Sequence, residues 1–339
     1  MTGFTHLPDL ASRDLAGSVC AANDEFFAAR ENLIKPGPPS AVHTFGHKGK
    51  EYDGWETRRR REPGVDWAVV RLGVPGVVHG VVVDTAYFTG NYPPHVSVEA
   101  AAVEGYPSPG ELAEVTWEPI LPRSAALGDT ANEYVVSDPR VWTHVRLTIH
   151  PDGGVARFRV HGLPVPDPRF LGGTIDLAAL ENGGGLVSCS DAFYGSAARL
   201  ILPGRARSMG EGWENARRRD DGHDWALFRL AGAGTVRHVE LDTSYFLGNA
   251  PGWVRLAGCR VASDEDLGSA KWFDLLPRGR SQPDTRQRFA VEEERSVTHV
   301  RLDVYPDGGM ARLRVWGELV DPPAGDVSGR RPARSAPVR

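Results

Sequence analysis

Only three cysteines stand in 339 residues: Cys20, Cys189 and Cys259. They lie far apart with no Cys-x-x-Cys spacing, which excludes a disulfide framework and a thiolate zinc site as organising features. No apolar run approaches the roughly 18 residues of a membrane helix, and the N-terminus shows no charged-then-apolar signal pattern. These absences lead us to expect a soluble cytoplasmic protein with no membrane partner. Positive charge is also short. The formal net charge is −5, so no global field draws the chain to nucleic acid, which is not expected as a partner. A nucleophile elbow, a P-loop and a dinucleotide fingerprint are all missing, so covalent catalysis and nucleotide chemistry have no support.

What the chain does have, it has twice. Gly54-Trp55-Glu56-Thr57-Arg58-Arg59-Arg60-Arg61 is answered by Gly212-Trp213-Glu214-Asn215-Ala216-Arg217-Arg218-Arg219. Asp84-Thr85-Ala86-Tyr87-Phe88-Thr89-Gly90-Asn91 returns as Asp242-Thr243-Ser244-Tyr245-Phe246-Leu247-Gly248-Asn249. Both pairs sit 158 residues apart. Solenoid repeats run at about 20–50 residues, so this period is the length of a domain. Earlier in each copy, Asp24-Glu25-Phe26-Phe27 matches Asp191-Ala192-Phe193-Tyr194 at an offset of 167. The first copy therefore carries nine extra residues, between Pro38 and Asp53, and these include His43, His47 and Lys48.

Short β-branched and alternating runs, broken by 39 glycines and 26 prolines, predict many strands joined by tight turns. Val145, Leu147 and Ile149 alternate inward before Pro151-Asp152-Gly153-Gly154. Ala156, Phe158 and Val160 alternate after it, which predicts a hairpin. His299 to Val315 repeats the pattern. One apolar and one charged face per strand indicates stacked antiparallel layers. The expected fold is all-β, with two tandem homologous jelly-roll β-sandwiches over 17–162 and 185–317. Residues 163–184 are expected to form a Pro-rich linker with a short helical turn near Thr174 to Leu180, and 321–339 a frayed tail.

Three groups of residues are candidates for chemistry. Arg59, Arg60, Arg217 and Arg218 belong to the duplicated Arg runs. They serve either as salt-bridged edge residues or as forks that grip a carboxylate in bidentate fashion. Asp84, Thr85 and Asn91, with Asp242 and Asn249, sit on loops that directly follow strands. They either staple those loops or contact a ligand. Among the eleven histidines no tight His/Asp cluster stands out. His43 and His95 are reserve candidates, and His144 and His299 are expected to be structural.

The segment from Gly46 to Arg61, followed by Val83 to Asn91, closely resembles allantoicase. The second copy's Gly-Trp-Glu and Asp-Thr-Ser-Tyr-Phe segments resemble the same family, and the likeness runs from about Asp14 to Leu319. It implies tandem galactose-binding-like jelly rolls that hydrolyse allantoate to ureidoglycolate and urea in purine breakdown. It also implies an association with a divalent metal whose ligands the sequence does not indicate, and a homo-oligomer is expected besides. His47 departs from an acidic residue expected in relatives, and Ala216 interrupts the second Arg run. On this substrate, Glu56 and Asp84 are the expected proton-transfer groups, with His43 or His95 in reserve. Arg59 or Arg60 is expected to hold the carboxylate, with Lys48, Thr85, Asn91, Arg217, Arg218, Asp242 and Asn249 as further contacts. The alternative is a non-catalytic carbohydrate-binding module using Trp55, Trp213 and Trp253 as exposed platforms.

Overall fold

A computed structural model describes residues 3–320, so the tail expected over 321–339 lies outside the described residues. The chain divides into two compact units, the first ending at Val165 and the second beginning at Pro166. Both are mostly β. Among the described residues no helix is long and apolar enough to cross a membrane.

In the first unit the strands are β1 (Ser18–Ala22), β2 (Phe45–Gly46), β3 (Gly49–Lys50), β4 (Trp55–Glu56), β5 (Asp66–Asp84), β6 (His95–Ala101), β7 (Glu118–Ala125), β8 (Ala131–Val135), β9 (Val141–His150), β10 (Gly154–Val155) and β11 (Arg157–Pro164). The long strand β5 organises them. Its first half pairs with β1 and β9 in a layer ordered β1-β5-β9-β6-β7, and its second half runs between β8 and β11. The change of layer falls at Gly73 to Gly76. A Cβ at Gly73 would stand 1.7 Å from the Leu15 carbonyl oxygen, and one at Gly76 would stand 2.5 Å from that of Leu163. Only glycine allows the backbones to approach so closely.

The second unit repeats the plan. Its strands are β12 (Ile175–Asp176), β13 (Gly185–Cys189), β14 (Trp213–Glu214), β15 (Asp224–Asp242), β16 (Trp253–Cys259), β17 (Phe273–Arg280), β18 (Arg286–Ala290), β19 (Val297–Tyr305), β20 (Gly309–Met310) and β21 (Arg312–Leu319). Here β15 is the shared strand. It pairs with β13 and β19 in its first half and with β18 and β21 in its second.

Three local expectations change. The segment after β9 does not fold back as a hairpin, because β11 pairs with β5 and not with β9. Pro151 to Gly154 is an arch between layers, and Val145, Leu147, Ile149, Ala156, Phe158 and Val160 are all fully buried residues of the core. An inward-facing apolar face looks the same in a hairpin and in an arch, so alternation alone does not separate them. Residues 174–180 form strand β12 and a turn, and helical geometry begins only at Leu180–Asn182. Ordered pairing also reaches into both ends of 163–184 and begins before Gly17. Asp9 accepts from Val160 N–H and Asp176 from Val315 N–H, each at 2.9 Å, on either side of buried Leu10 and Leu177.

Trp55 and Trp213 are completely buried, and their indole N–H groups donate to the Asp24 and Asp191 carbonyls at 2.8 Å. They are core residues and cannot act as sugar platforms. The extra segment of the first unit is fixed to the sandwich through Asp53. This carboxylate accepts from Arg157 Nη2 at 2.6 Å, from Lys35 Nζ at 3.1 Å, and from the Ser40 N–H and hydroxyl at 3.0 and 3.1 Å. Burial alone pushes the Asp53 carboxyl up. Arg157, the Ser40 N–H and Lys35 outweigh that effect and hold it well below the usual carboxylate range.

A depressed folded pKa means the stabilisation is fully present above the unfolded value near 4 and is lost as pH falls below it. Asp53→Asn is therefore expected to destabilise the protein by about 1–3 kcal/mol at pH 7, since Arg157 would keep a buried charge without its counter-ion. The gap to the natural chain should shrink in thermal unfolding at about pH 3.5. An equal gap at both pH values would show that Asp53 does not carry this linkage.

Candidate active site

The loops at one end of each sandwich are held by the same contacts. Arg60 N–H donates to Asp152 and its Nη1 to Asp66, at 2.7 and 2.6 Å. Arg218 does the same with Asp307 and Asp224, at 2.7 Å each. Asp66 and Asp224 are each 1% exposed. Thr85 donates its hydroxyl to the Leu127 and Thr130 carbonyls, and Thr243 to those of Gln282 and Thr285. Asp84 caps Ala86 N–H and Asp242 caps Ser244 N–H. Tyr87 and Tyr245 both adopt a left-handed backbone, and their N–H groups donate to Asp129 and Asp284. Arg60, Arg218, Thr85, Asp84 and Asp242 are thus committed to internal partners in both copies.

Other sequence candidates keep more freedom. Arg59 and Arg217 are exposed and have no hydrogen-bond or ion-pair partner among the described residues. Glu56 is half-buried on β4 and accepts from Asn91 Nδ2 at 2.6 Å, and Glu214 and Asn249 form the same contact at 2.6 Å. Burial raises the Glu56 carboxyl above its ordinary value, and the Asn91 N–H only partly opposes this. A carboxyl of this kind holds its proton further toward neutrality than an exposed one.

The structure does not bring His43 to this group. His43 is exposed ahead of the β2–β3 hairpin. Lys48, at the turn of that hairpin, folds back instead. Its Nζ donates to the Phe26 carbonyl at 2.6 Å and lies 4.4 Å from the Phe26 ring centroid. Arg58 adds a second cation at 5.4 Å from that ring and pairs with Asp24 at 2.6 Å. A cavity of about 610 Å³ lies under the extra segment, with Phe27, Lys35, Tyr52, Asp53 and Arg157 in its walls. The second copy lacks both the hairpin and the Arg58 equivalent, which is Ala216. Its matching aromatics, Phe193 and Tyr194, are 71% and 65% exposed.

His95 belongs to a group that sequence reasoning missed. It stands opposite His150 across β6 and β9, with Ala125 on its other side on β7. Ser97 Oγ lies 3.0 Å from His150 Nε2, and Arg123 Nη2 lies 3.5 Å from His95 Nδ1. Burial lowers the His150 pKa, and its neighbours Arg123 and His95 lower it further. The arch after β9 joins this pair to the carboxyl group, since His150 enters the arch and Gly154 at its end pairs with Glu56. His150 is half-buried at the end of β9. The available signal was that His150-Pro151-Asp152 and Tyr305-Pro306-Asp307 match in the two copies except for the ring.

His144 and His299 are buried. Burial and the charge of Arg71 push His144 down to about 4. Among the described residues no three His, Cys, Asp or Glu side chains come together as a ligand set. The His95–His150 pair has Arg123 against it, an unfavourable neighbour for a dication. The described residues therefore do not fit a resident divalent metal.

A family model described as the allantoicase repeat matches residues 8–165 and again 175–320. The probable allantoicase of Nocardia farcinica is 58% identical over 322 residues, spanning 94% of this chain and 96% of its own length. That of Streptomyces coelicolor is 48% identical over 342 residues, spanning 96% of this chain and 89% of its own length. The crystal structure of allantoicase from Saccharomyces cerevisiae superposes with a TM-score of 0.78 at 34% identity, covering 92% of this chain and 93% of that one. Duplicated motifs, duplicated contacts and both matched segments agree, and the chain belongs to the allantoicase family.

Proposed function

We infer that this chain hydrolyses allantoate to ureidoglycolate and urea. The observation that carries this is the 58% identity to a probable allantoicase across 94% of the chain. In the reaction, water oxygen bonds to the central carbon, the bond from that carbon to one ureido nitrogen breaks, and the nitrogen leaves with a proton as urea.

The loop end of the first repeat supplies groups suited to each step. Glu56, whose carboxyl burial raises above its ordinary value, donates a proton to the leaving nitrogen, and Asn91 Nδ2 stabilises the carboxylate that remains. His150, whose pKa burial and the neighbouring Arg123 lower, takes the proton from water, with His95 opposite it as the reserve base. Proton return from imidazolium to Glu56 resets the pair. Arg59, which has no internal partner among the described residues, is the fork for the substrate carboxylate. Arg60 holds the loop that presents it. In the second repeat Arg217, Glu214 and Asn249 are retained, but Trp253 and Tyr305 replace the two imidazoles, so turnover is assigned to the first repeat.

We also place the chain in the cytoplasm, where its three unpaired thiols suit a reducing compartment. It is further proposed to be a homo-oligomer, because Phe193, Tyr194 and Leu247 expose 65–71% of their surface in one repeat, as residues covered by subunit contact would. Sedimentation of the full chain should then give a mass that is a multiple of 36.8 kDa. A single 36.8 kDa species would refute the assembly.

Urea release from allantoate tests the activity directly, and a folded protein that releases none would refute it. Glu56→Gln should lower kcat by about 10²-fold or more with a KM change of a few-fold at most. His150→Phe should lower kcat similarly. In the natural chain the rate should hold as pH falls to below the ordinary imidazole value near 6.5, and then decline as the lowered His150 pKa is crossed. An unaltered pH profile in His150→Phe would remove His150 from the reaction.

A further inference from the structure

The second repeat carries a row of cations and rings that the proposed chemistry does not use. Arg280, Trp253 and Tyr305 stand side by side in register on β17, β16 and β19. The Arg280 guanidinium lies 5.2 Å from the Trp253 ring centroid. Arg278, two residues earlier on the same strand, lies over Tyr305 at 4.1 Å and Trp253 at 5.6 Å. The His223 imidazole stacks on Tyr305 at 4.4 Å, and its Nε2 is 3.1 Å from Asp303 Oδ1. Asp303 is fully buried and also accepts from Arg255 and Arg301. Cations and rings therefore alternate along the row, and one end is anchored on a buried carboxylate.

Charge is balanced at that end and not at the other. Two arginines already answer Asp303, whereas Arg278 and Arg280 are exposed and have no hydrogen-bond or ion-pair partner among the described residues. A guanidinium resting on a ring face loses little further freedom on binding and keeps in-plane N–H groups for an acceptor. A register shift interrupts the pairing beside Arg278, yet both guanidiniums lie against the same Trp253 ring, which brings the two forks together. A pair of forks suits a carboxylate. In the first repeat the same row reads Ala125, His95 and His150. The exchange removes both imidazoles from these register positions, where indole has no proton to trade and a tyrosine titrates only near pH 10, and the nearby His223 is engaged by Asp303. The exchange also adds one cation.

We propose that this row is a second site, which binds a small organic carboxylate and does not transform it. Choosing a ureido acid as the ligand rests on the allantoicase reading, whereas the carboxylate fork itself does not. N-carbamoylglycine is a suitable probe, because it has the carboxylate and a single ureido arm. It would be titrated into the full chain at constant ionic strength, with tryptophan fluorescence and calorimetry as readouts, and urea release from allantoate measured in parallel. The combined Arg278→Ala and Arg280→Ala variant should bind at least about tenfold more weakly, the order expected of one charge-assisted fork, with urea release unchanged. Trp253→Phe, which keeps a ring beneath the cations, should retain binding and lose most of the fluorescence response. Unchanged affinity in the double variant would overturn the site, as would an equal response to chloride at matched ionic strength. Loss of urea release in the double variant would also overturn it, by making the arginines part of the catalytic centre. A natural chain that binds the probe at this row but releases no urea would count against the allantoicase reading alone.

Discussion

The buried carboxylates that open β5 and β15 fix the loops at one end of each sandwich. Asp66 and Asp224 are almost completely enclosed, and an ionised carboxyl in such a place costs several kcal/mol unless it is paired. Arg60 and Arg218 supply the pairing, and Asn23 and Ser190 each add a hydrogen bond at 2.9 Å. That requirement decides what the Arg run does. One arginine in each copy turns inward to hold the loop, and its neighbour, Arg59 or Arg217, is left facing solvent with its fork free of partners among the described residues. Glu56 and Glu214 precede the same loop and take Asn91 and Asn249 as partners.

On this shared frame the two repeats have diverged at a few places. The first has the extra segment clamped by Asp53 and Arg157, with Lys48 and Arg58 set against Phe26. The second lacks the segment and leaves Phe193 and Tyr194 exposed. A single cross-strand row contains imidazoles in one copy and indole, phenol and guanidinium in the other. Imidazole moves protons near neutral pH and the other three groups do not. The duplication therefore kept its stabilising contacts and changed the groups along this row.

Much of this was legible in the sequence because duplication made it so. The 158-residue offset and the alternating strands lead directly to two all-β sandwiches, and the Gly-Trp-Glu and Asp-Thr segments to the family. Direction and partnership were harder to read. Val145 to Val160 shows inward alternation whether the chain folds back or arches across the core, and only the pairing of β11 with β5 decides it. Arg59 and Arg60 are adjacent and chemically identical, and what separates them is Asp66, six residues from Arg60 and buried. Trp55 and Trp213 looked like possible platforms, yet they are among the best buried side chains. The surroundings of His150 could not be read from the sequence, because His95, Ser97 and Arg123 lie on two other strands.

The central claim is that one repeat reacts while its twin keeps the same carboxyl–amide pair without the imidazoles. Measuring kcat for urea release with Glu56→Gln and with Glu214→Gln, side by side on folded protein, tests it most directly. The account predicts a loss of about 10²-fold or more for the first substitution and a rate near that of the natural chain for the second. Equal losses from both, or a loss confined to Glu214→Gln, would contradict it.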